Sequence, residues 1–242
     1  MKNKKVKQIL LLAFIIVQTL AYLFLNFAKL DKLHYLSYGI VCLCLVFVIL
    51  FASKNLNSTF MILAFIFTLI ADYFLVLRGG KNKTLAMCFF MLAQIFYACV
   101  VYFLAFYPKE RLLQLGTRII VTIVSIIVAC IILKDRVEPL YIISVAYYFN
   151  MLISIAFSLI HFKEGLSVKL FAIGLILFSL CDISIGLTVV VDIFNLTESN
   201  FICKILNLPI NYVNLFYPIS QIVIACSFMV KDLKKSKLFR LK

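Results

Sequence analysis

The sequence predicts an all-α polytopic membrane protein, a bundle of eight transmembrane helices with both termini in the cytoplasm. Three observations carry that prediction. The first is composition: 65% of the 242 residues are hydrophobic and only 14% are charged, with a mean hydropathy of +1.12. Soluble domains run nearer to about 45–50% apolar and about 25% charged. The second is segmentation, since apolar runs of about 18 to 23 residues recur between short connectors, each long enough to cross a hydrocarbon core of about 30 Å. The third is the uneven placement of the basic residues on alternate sides of those runs. Together they exclude a cytosolic enzyme, a disordered chain and a nucleic-acid-binding domain, and they leave no sizeable water-soluble domain.

Taken in order, span one (Ile9–Ala28) follows the bases Lys2, Lys4, Lys5 and Lys7. Its apolar run exceeds a signal-peptide core and no Ala-x-Ala pattern follows, so it is read as a retained helix. Span two is Tyr35–Ala52. Span three (Ser58–Arg78) ends at Gly79-Gly80, and span four (Thr84–Phe106) ends ahead of Pro108. Span five is Gly116–Leu133. Spans six (Pro139–His161) and eight (Pro209–Val230) open on prolines, which the first helical turn tolerates because its N–H has no intrahelical partner. Span seven is Lys169–Val191. In the long connector Asp192–Leu208, the apolar Phe201, Ile202, Ile205 and Leu206 are expected to dip into the outer membrane interface.

The net charge of +14 comes from bases in the termini and connectors. Counting Arg118 with Lys109 and Arg111 in the connector before span five, 16 bases fall on the side of the termini and 8 on the other. This places both termini in the cytoplasm and assigns the basic charge to membrane anchoring, with no nucleic acid as partner. The 8 cysteines show no CxxC, and His34 and His161 stand at span edges, so neither a metal nor a cofactor is expected. The thiols read as small hydrophobes. The whole chain, 1–242, reads as one integral helical domain. An acid-bearing odd span followed by a Gln-bearing even span occurs twice, which hints at duplicated halves, 1–115 and 116–242.

Most of the 10 acids lie in connectors or at helix ends, Asp192 among them. Asp72 in FTLIADYFLVL and Asp182 in FSLCDISIGL do not. An aspartate near a bilayer centre costs about 2.5–3.5 kcal/mol on the lenient insertion scale, so it normally faces the bundle interior and serves a pathway or a site. Both acids lie slightly to the outer side of their span midpoints, on helices running the same way, and could meet. No Lys or Arg is expected at their depth; the nearest base in sequence is Arg78. Two carboxyls sharing a dry site do not both ionise, which supplies an acid and a base.

Other polar residues occupy the same stratum: Gln18, Thr68, Gln94 with Tyr97, a stripe of Ser144, Tyr147, Asn150, Ser154 and Ser158, Ser179, and Asn214, Tyr217 and Gln221 beside Pro218. In lipid each needs a partner, so each is expected to look inward. For any single amide or hydroxyl, interhelical hydrogen bonding is explanation enough. For the two aspartates it is a poor one, because an amide would join helices at less cost.

Asp72 in LIADYFLVL, Gln94 and Tyr97 in FFMLAQIFY, then CDISIGL and FYPISQIVIACS together resemble the YhhN-like family of eight-span membrane proteins, whose characterised members are lysoplasmalogenases. The resemblance covers spans three, four, seven and eight. Ala71 stands where the family has glycine before its first acid, and Cys181 where it has serine before the second. The resemblance implies a membrane-embedded hydrolase that takes a lysophospholipid from the bilayer and cleaves its vinyl ether to a fatty aldehyde and a glycerophospho compound. Asp72 and Asp182 would be the acid and base, and Gln94, Tyr97, Tyr147, Asn150, Tyr217 and Gln221 would hold the substrate or the water. Two other readings stay open on the residues alone: a proton-coupled transporter using the same acids as a relay, and a lipid-binding bundle without turnover. A homodimer is also left open. Abundant Lys, Asn and Ile point to an AT-rich bacterial genome, hence to a cytoplasmic membrane, with an internal eukaryotic membrane left open.

Overall fold

The computed structural model describes residues 2–27, 34–53, 55–104, 107–195, 197, 200–208 and 210–233. Nine α-helices are found among them, and no strand. They are α1 Lys2–Phe27, α2 His34–Phe51, α3 Leu56–Asp72, α4 Lys83–Tyr102, α5 Pro108–Leu133, α6 Pro139–Ile160, α7 Leu166–Phe194, α8 Phe201–Leu206 and α9 Tyr212–Leu233. Seven of these helices are long and apolar enough to cross a membrane, and α2 is apolar but shorter.

Local chemistry sets several boundaries. Asn55, in extended conformation, caps α3 by accepting from the Ser58 N–H at 2.8 Å. Asn200 caps the short α8 through the Ile202 N–H at 2.9 Å. The apolar connector residues Phe201–Leu206 thus form a helical turn and a half, with Phe201 exposed and Cys203 buried. Asn195 ends α7 in the left-handed conformation that its short side chain tolerates. Pro108 opens α5 and does not end α4, which already stops at Tyr102. Span five, expected from Gly116, begins instead at Pro108, because charge at a helix start, here Lys109, Glu110 and Arg111, is compatible with helix and only shortens the apolar stretch. Pro209, expected to open the last span, lies outside the described residues, as does the basic run from Lys234 to Lys242.

One irregularity was not foreseen. Immediately after Asp72 the helix widens into a π-helical segment, Tyr73–Leu77, closed by the Arg78 N–H bonding to the Tyr73 carbonyl and by Gly79 and Gly80 at positive φ. Short π segments inside helices recur at functional sites because they rephase the side chains beyond them.

Helix contacts close a ring in the order α2, α3, α4, α6, α7, α9 and back to α2. Helix α1 packs outside on α2 and α9, and α5 outside on α6. Gln18 fastens α1 by donating to the Ile40 carbonyl at 2.9 Å, the interhelical role expected of a buried amide. Pro218 has no N–H to offer the Asn214 carbonyl one turn back. That carbonyl accepts from Asn26 of α1, and the next, Leu215, accepts from the Tyr22 hydroxyl at 3.0 Å. A seven-residue repeat joins α3 and its π-helical continuation to α4 and its C-cap: Phe60, Phe67 and Phe74 interleave with Phe89, Phe96 and Phe103, with ring centroids 5.5–6.2 Å apart. This ladder fixes the register between Asp72 and Gln94.

The largest interface, α7 on α9, depends on one glycine. A Cβ on Gly174 would stand 2.5 Å from Ile224 Cγ1 and 3.2 Å from the Ser220 carbonyl oxygen. Gly174→Val is therefore expected to destabilise the fold by about 1–3 kcal/mol through overpacking. A melting experiment in detergent checks this; an unchanged melting temperature would mean that the helices can separate freely.

Helix α5 docks on α6 at one end through His161, whose ring bridges Glu110 and Glu164 at 2.5 Å each. Burial alone would lower the pKa of His161 from its ordinary 6.5, but hydrogen bonds and charges from Glu164 and Glu110 outweigh it and leave the value raised. For a raised histidine the stabilisation is complete below the unfolded-state value and is lost as pH rises through the folded one. The melting temperature should therefore fall as pH is taken from 6 to well above 7, about the range in which histidine titrates. His161→Gln should flatten that slope; an equal slope in the variant would remove His161 as its source.

Candidate functional site

Every residue singled out in the sequence as a candidate lies on a helix of the ring, five of whose six members contribute. Asp72 ends the regular part of α3 and is 3% exposed. The Tyr217 hydroxyl from α9 donates to its Oδ2 at 2.5 Å, a contact between residues 145 apart in the chain. Asp182, on α7, is half-buried and accepts at 2.5 Å from the Tyr147 hydroxyl of α6. Each acid thus has its own tyrosine. Among the described residues no hydrogen bond joins the two carboxyls, so the direct meeting that their depths allowed does not occur.

What lies between the pairs is aromatic. Phe90 of α4 sits with its ring centroid 6.1 Å from Tyr147 and 6.5 Å from Tyr217. Phe178 of α7, one turn before Asp182, is 6.1 Å from Phe90 and 5.5 Å from Tyr217. The Cys181 thiol is within electrostatic reach of both carboxyls. The arrangement is two aspartate–tyrosine pairs flanking a buried two-ring partition.

Gln94, one turn along α4 from Phe90, is fully buried and comes close to the Tyr147 hydroxyl, yet neither of its amide atoms has a full hydrogen bond. Tyr97 is also fully buried, edge-on to Phe65 and Phe171, near Thr68 and within electrostatic reach of Asp72; its hydroxyl too has no partner. Gln221, one turn after Tyr217, donates to Ser220 Oγ at 3.3 Å and leaves its own Oε1 unpaired. Buried polar atoms are nearly always hydrogen-bonded in folded proteins. Unpaired polar atoms clustered near two carboxyls are groups that an ordered water or a polar guest would satisfy. Other expected polar residues are structural. Thr68 and Ser158 bond back to their own helices, and Ser179 pairs with the Tyr148 hydroxyl at 3.2 Å. Asn214 sits half-buried at the start of α9, and Asp192 is exposed.

Asn150 departs from its expected surroundings. Its Oδ1 and its backbone carbonyl both accept from Arg118 Nη1, at 2.5 and 3.0 Å, and Arg118 Nη2 donates to Ser154 Oγ at 3.1 Å. Arg118 is thus no connector residue. It lies ten residues into α5 and reaches the middle of α6, one turn from Tyr147. This corrects both the count of connector bases and the expectation that no base stands at the depth of the acids. The sequence did hold a signal: Glu110, Gln114, Arg118 and Thr122 recur every fourth residue and so share a helix face.

Among the described residues no group of three or more His, Cys, Asp or Glu side chains could hold a metal ion. A cavity of about 30 Å³ lies at the far end of the ring interior, lined by residues that include Asn57, Met61, Ser167, Phe171 and Ser227. It has room for a water or two near the unpaired Asn57 Oδ1, and it is separate from the aspartates.

Comparison with known families matches residues 33–228 to the YhhN family. No curated protein and no solved structure matches the chain.

Proposed function

The chain belongs to the YhhN family, and from that premise and the paired aspartates we propose that it is a lysoplasmalogenase-like hydrolase working inside the bilayer. The observation that carries the reading is the pair of aspartate–tyrosine contacts in the ring interior, with unpaired Gln94, Tyr97 and Gln221 around them. In this reading α2 is the eighth span, both termini are cytoplasmic, the chain is one helical domain, and the membrane is a bacterial cytoplasmic one.

Vinyl ether hydrolysis begins with proton transfer to the alkenyl carbon remote from oxygen. The π electrons form the new C–H bond and leave an oxocarbenium ion. Water adds to the carbon bound to oxygen and gives up a proton, producing a hemiacetal. The hemiacetal C–O bond to glycerol then breaks, the departing oxygen takes the proton that water gave up, the hemiacetal hydroxyl returns its own proton to the first carboxyl, and an aldehyde remains. One protonated carboxyl and one carboxylate satisfy every step, the first as donor and the second as the group that stabilises the cation and accepts the proton of water. The logic is that of the paired acids of glycoside hydrolysis, where the two carboxyls also stand apart with the reacting atoms between them. The separation of the two pairs by Phe90 and Phe178 suits this division of labour, since the rings would stack against the flat enol ether and exclude bulk water. The hydrocarbon chain would lie between helices, open sideways to lipid.

The test is reconstitution of the protein with a lysoplasmalogen and measurement of the fatty aldehyde. Release above the protein-free rate supports the reading. Proton-driven uptake into vesicles without aldehyde, or tight lysolipid binding without product, would overturn it in favour of a transporter or a non-catalytic lipid binder.

A further inference from the structure

The lipid-facing side of α5 is uniformly apolar, with Leu112, Ile119, Ile120, Ile123 and Val124 all exposed. The side turned to α6 is the opposite: Glu110, fully buried Gln114, Arg118 and buried Ser125 follow one another up the seam. Glu110 is matched by His161. Arg118 is not matched by any acid among the described residues, and its hydrogen bonds go to neutral acceptors, Asn150 and Ser154. A guanidinium in the middle of an apolar helix is retained where it has a carboxylate partner or work to do. Beside it two buried amides lack partners: Asn150 Nδ2, and both the Nε2 and Oε1 of Gln114. The seam therefore holds one positive charge with no acid partner among the described residues and two unpaired amide nitrogens against one unpaired amide oxygen, a donor-rich setting that complements a multi-oxygen anion.

We propose that Arg118, with Asn150 and Gln114, forms the subsite that receives the phosphate of a lysophospholipid between α5 and α6. The inference rests on the hydrolase reading for the identity of the lipid and adds to it a charged group that recognises the head of the substrate. Its position fits. Asn150 is three residues from Tyr147 on α6, and Tyr147 holds Asp182. In a lysophospholipid only the glycerol carbons separate phosphate from ether oxygen, a span on the order of one helical turn, about 5.4 Å. Phosphate on Arg118 thus brings the ether to the Tyr147–Asp182 pair.

Binding to the full-chain protein in detergent tests this without turnover. The probes are a saturated 1-O-alkyl lysophospholipid, which cannot be hydrolysed as a vinyl ether, the 1-O-alkylglycerol that lacks only its phosphorylated head, and inorganic phosphate. The wild type is expected to bind the phospholipid at least about tenfold more tightly than the alkylglycerol, the scale of one charge-assisted contact. Arg118→Gln should abolish that preference and leave alkylglycerol affinity unchanged, while Arg118→Lys should keep part of it. Gln114→Met, which leaves the guanidinium contacts in place, should weaken it several-fold and serves if Arg118→Gln does not fold. Equal affinity of the wild type for both lipids, or an undiminished preference in folded Arg118→Gln, would overturn the subsite. Inorganic phosphate binding as tightly as the phospholipid would make it a free-anion site and overturn the lipid assignment. Because no aldehyde is measured, an Arg118-dependent preference would stand even if the hydrolase reading failed.

Discussion

Asp72→Asn and Asp182→Asn are each expected to lower aldehyde release by about 10²–10⁴-fold, the usual contribution of a positioned acid or base. Asparagine keeps the shape of the side chain, and its Oδ1 can still accept from Tyr217 or Tyr147, so folding should survive where proton transfer does not. With a protonated carboxyl and a carboxylate both required, loss of either stalls the same sequence of steps. The double variant should therefore be little worse than the worse single one, as happens when residues act as a unit. Melting temperatures of the purified variants separate this from unfolding. Turnover like that of the wild type in both single variants would remove the two-carboxylate mechanism.

Loss of the tyrosine partners should come next in size. Tyr217 and Tyr147 donate to the two carboxyls at 2.5 Å, and Asp72 in particular is shut away at 3% exposure. Tyr217→Phe leaves that carboxyl without its donor, at a cost of about 1–3 kcal/mol for an unsatisfied buried group. Each Tyr→Phe variant is expected to lose about 10–100-fold in kcat with little change in KM, because the hydroxyl holds a reacting group and not the lipid chain. Tyr217→Phe should show the larger fall in melting temperature, since Asp72 is the less exposed of the two acids. A rise in KM at constant kcat would reassign the tyrosines to substrate binding.

The two acids stood out in sequence because an aspartate inside an apolar run is anomalous wherever the run folds. Their tyrosines were legible too, Tyr147 on the stripe with Asn150 and Tyr217 one turn before Gln221, but not as partners of particular acids. Nothing near Asp72 points to Tyr217, 145 residues away, and nothing near Asp182 assigns it to Tyr147. Arg118 was visible as a letter and misplaced as a residue. Helical rise puts it well inside α5 only when the helix is known to begin at Pro108, and the charged Lys109–Arg111 turn concealed that start. Phe90 and Phe178 read as two among 24 phenylalanines, and only ring contacts distinguish them.

Hydropathy, span length and helix-breaking residues are sums over neighbours along the chain, so the sequence by itself determined that this is a helical membrane protein and where most of its helices run. It also determined which polar groups lipid would force inward, because the cost of exposing them there depends on residue type and depth alone. Which inward groups face each other depends on the rotation of each helix about its axis and on the order of the ring. Those are settled by packing between distant segments, such as the fit of Gly174 against Ile224, and no local pattern encodes them. Tertiary structure alone therefore decided that the two acids are paired with tyrosines and kept apart by rings, and that a lone arginine stands one turn away.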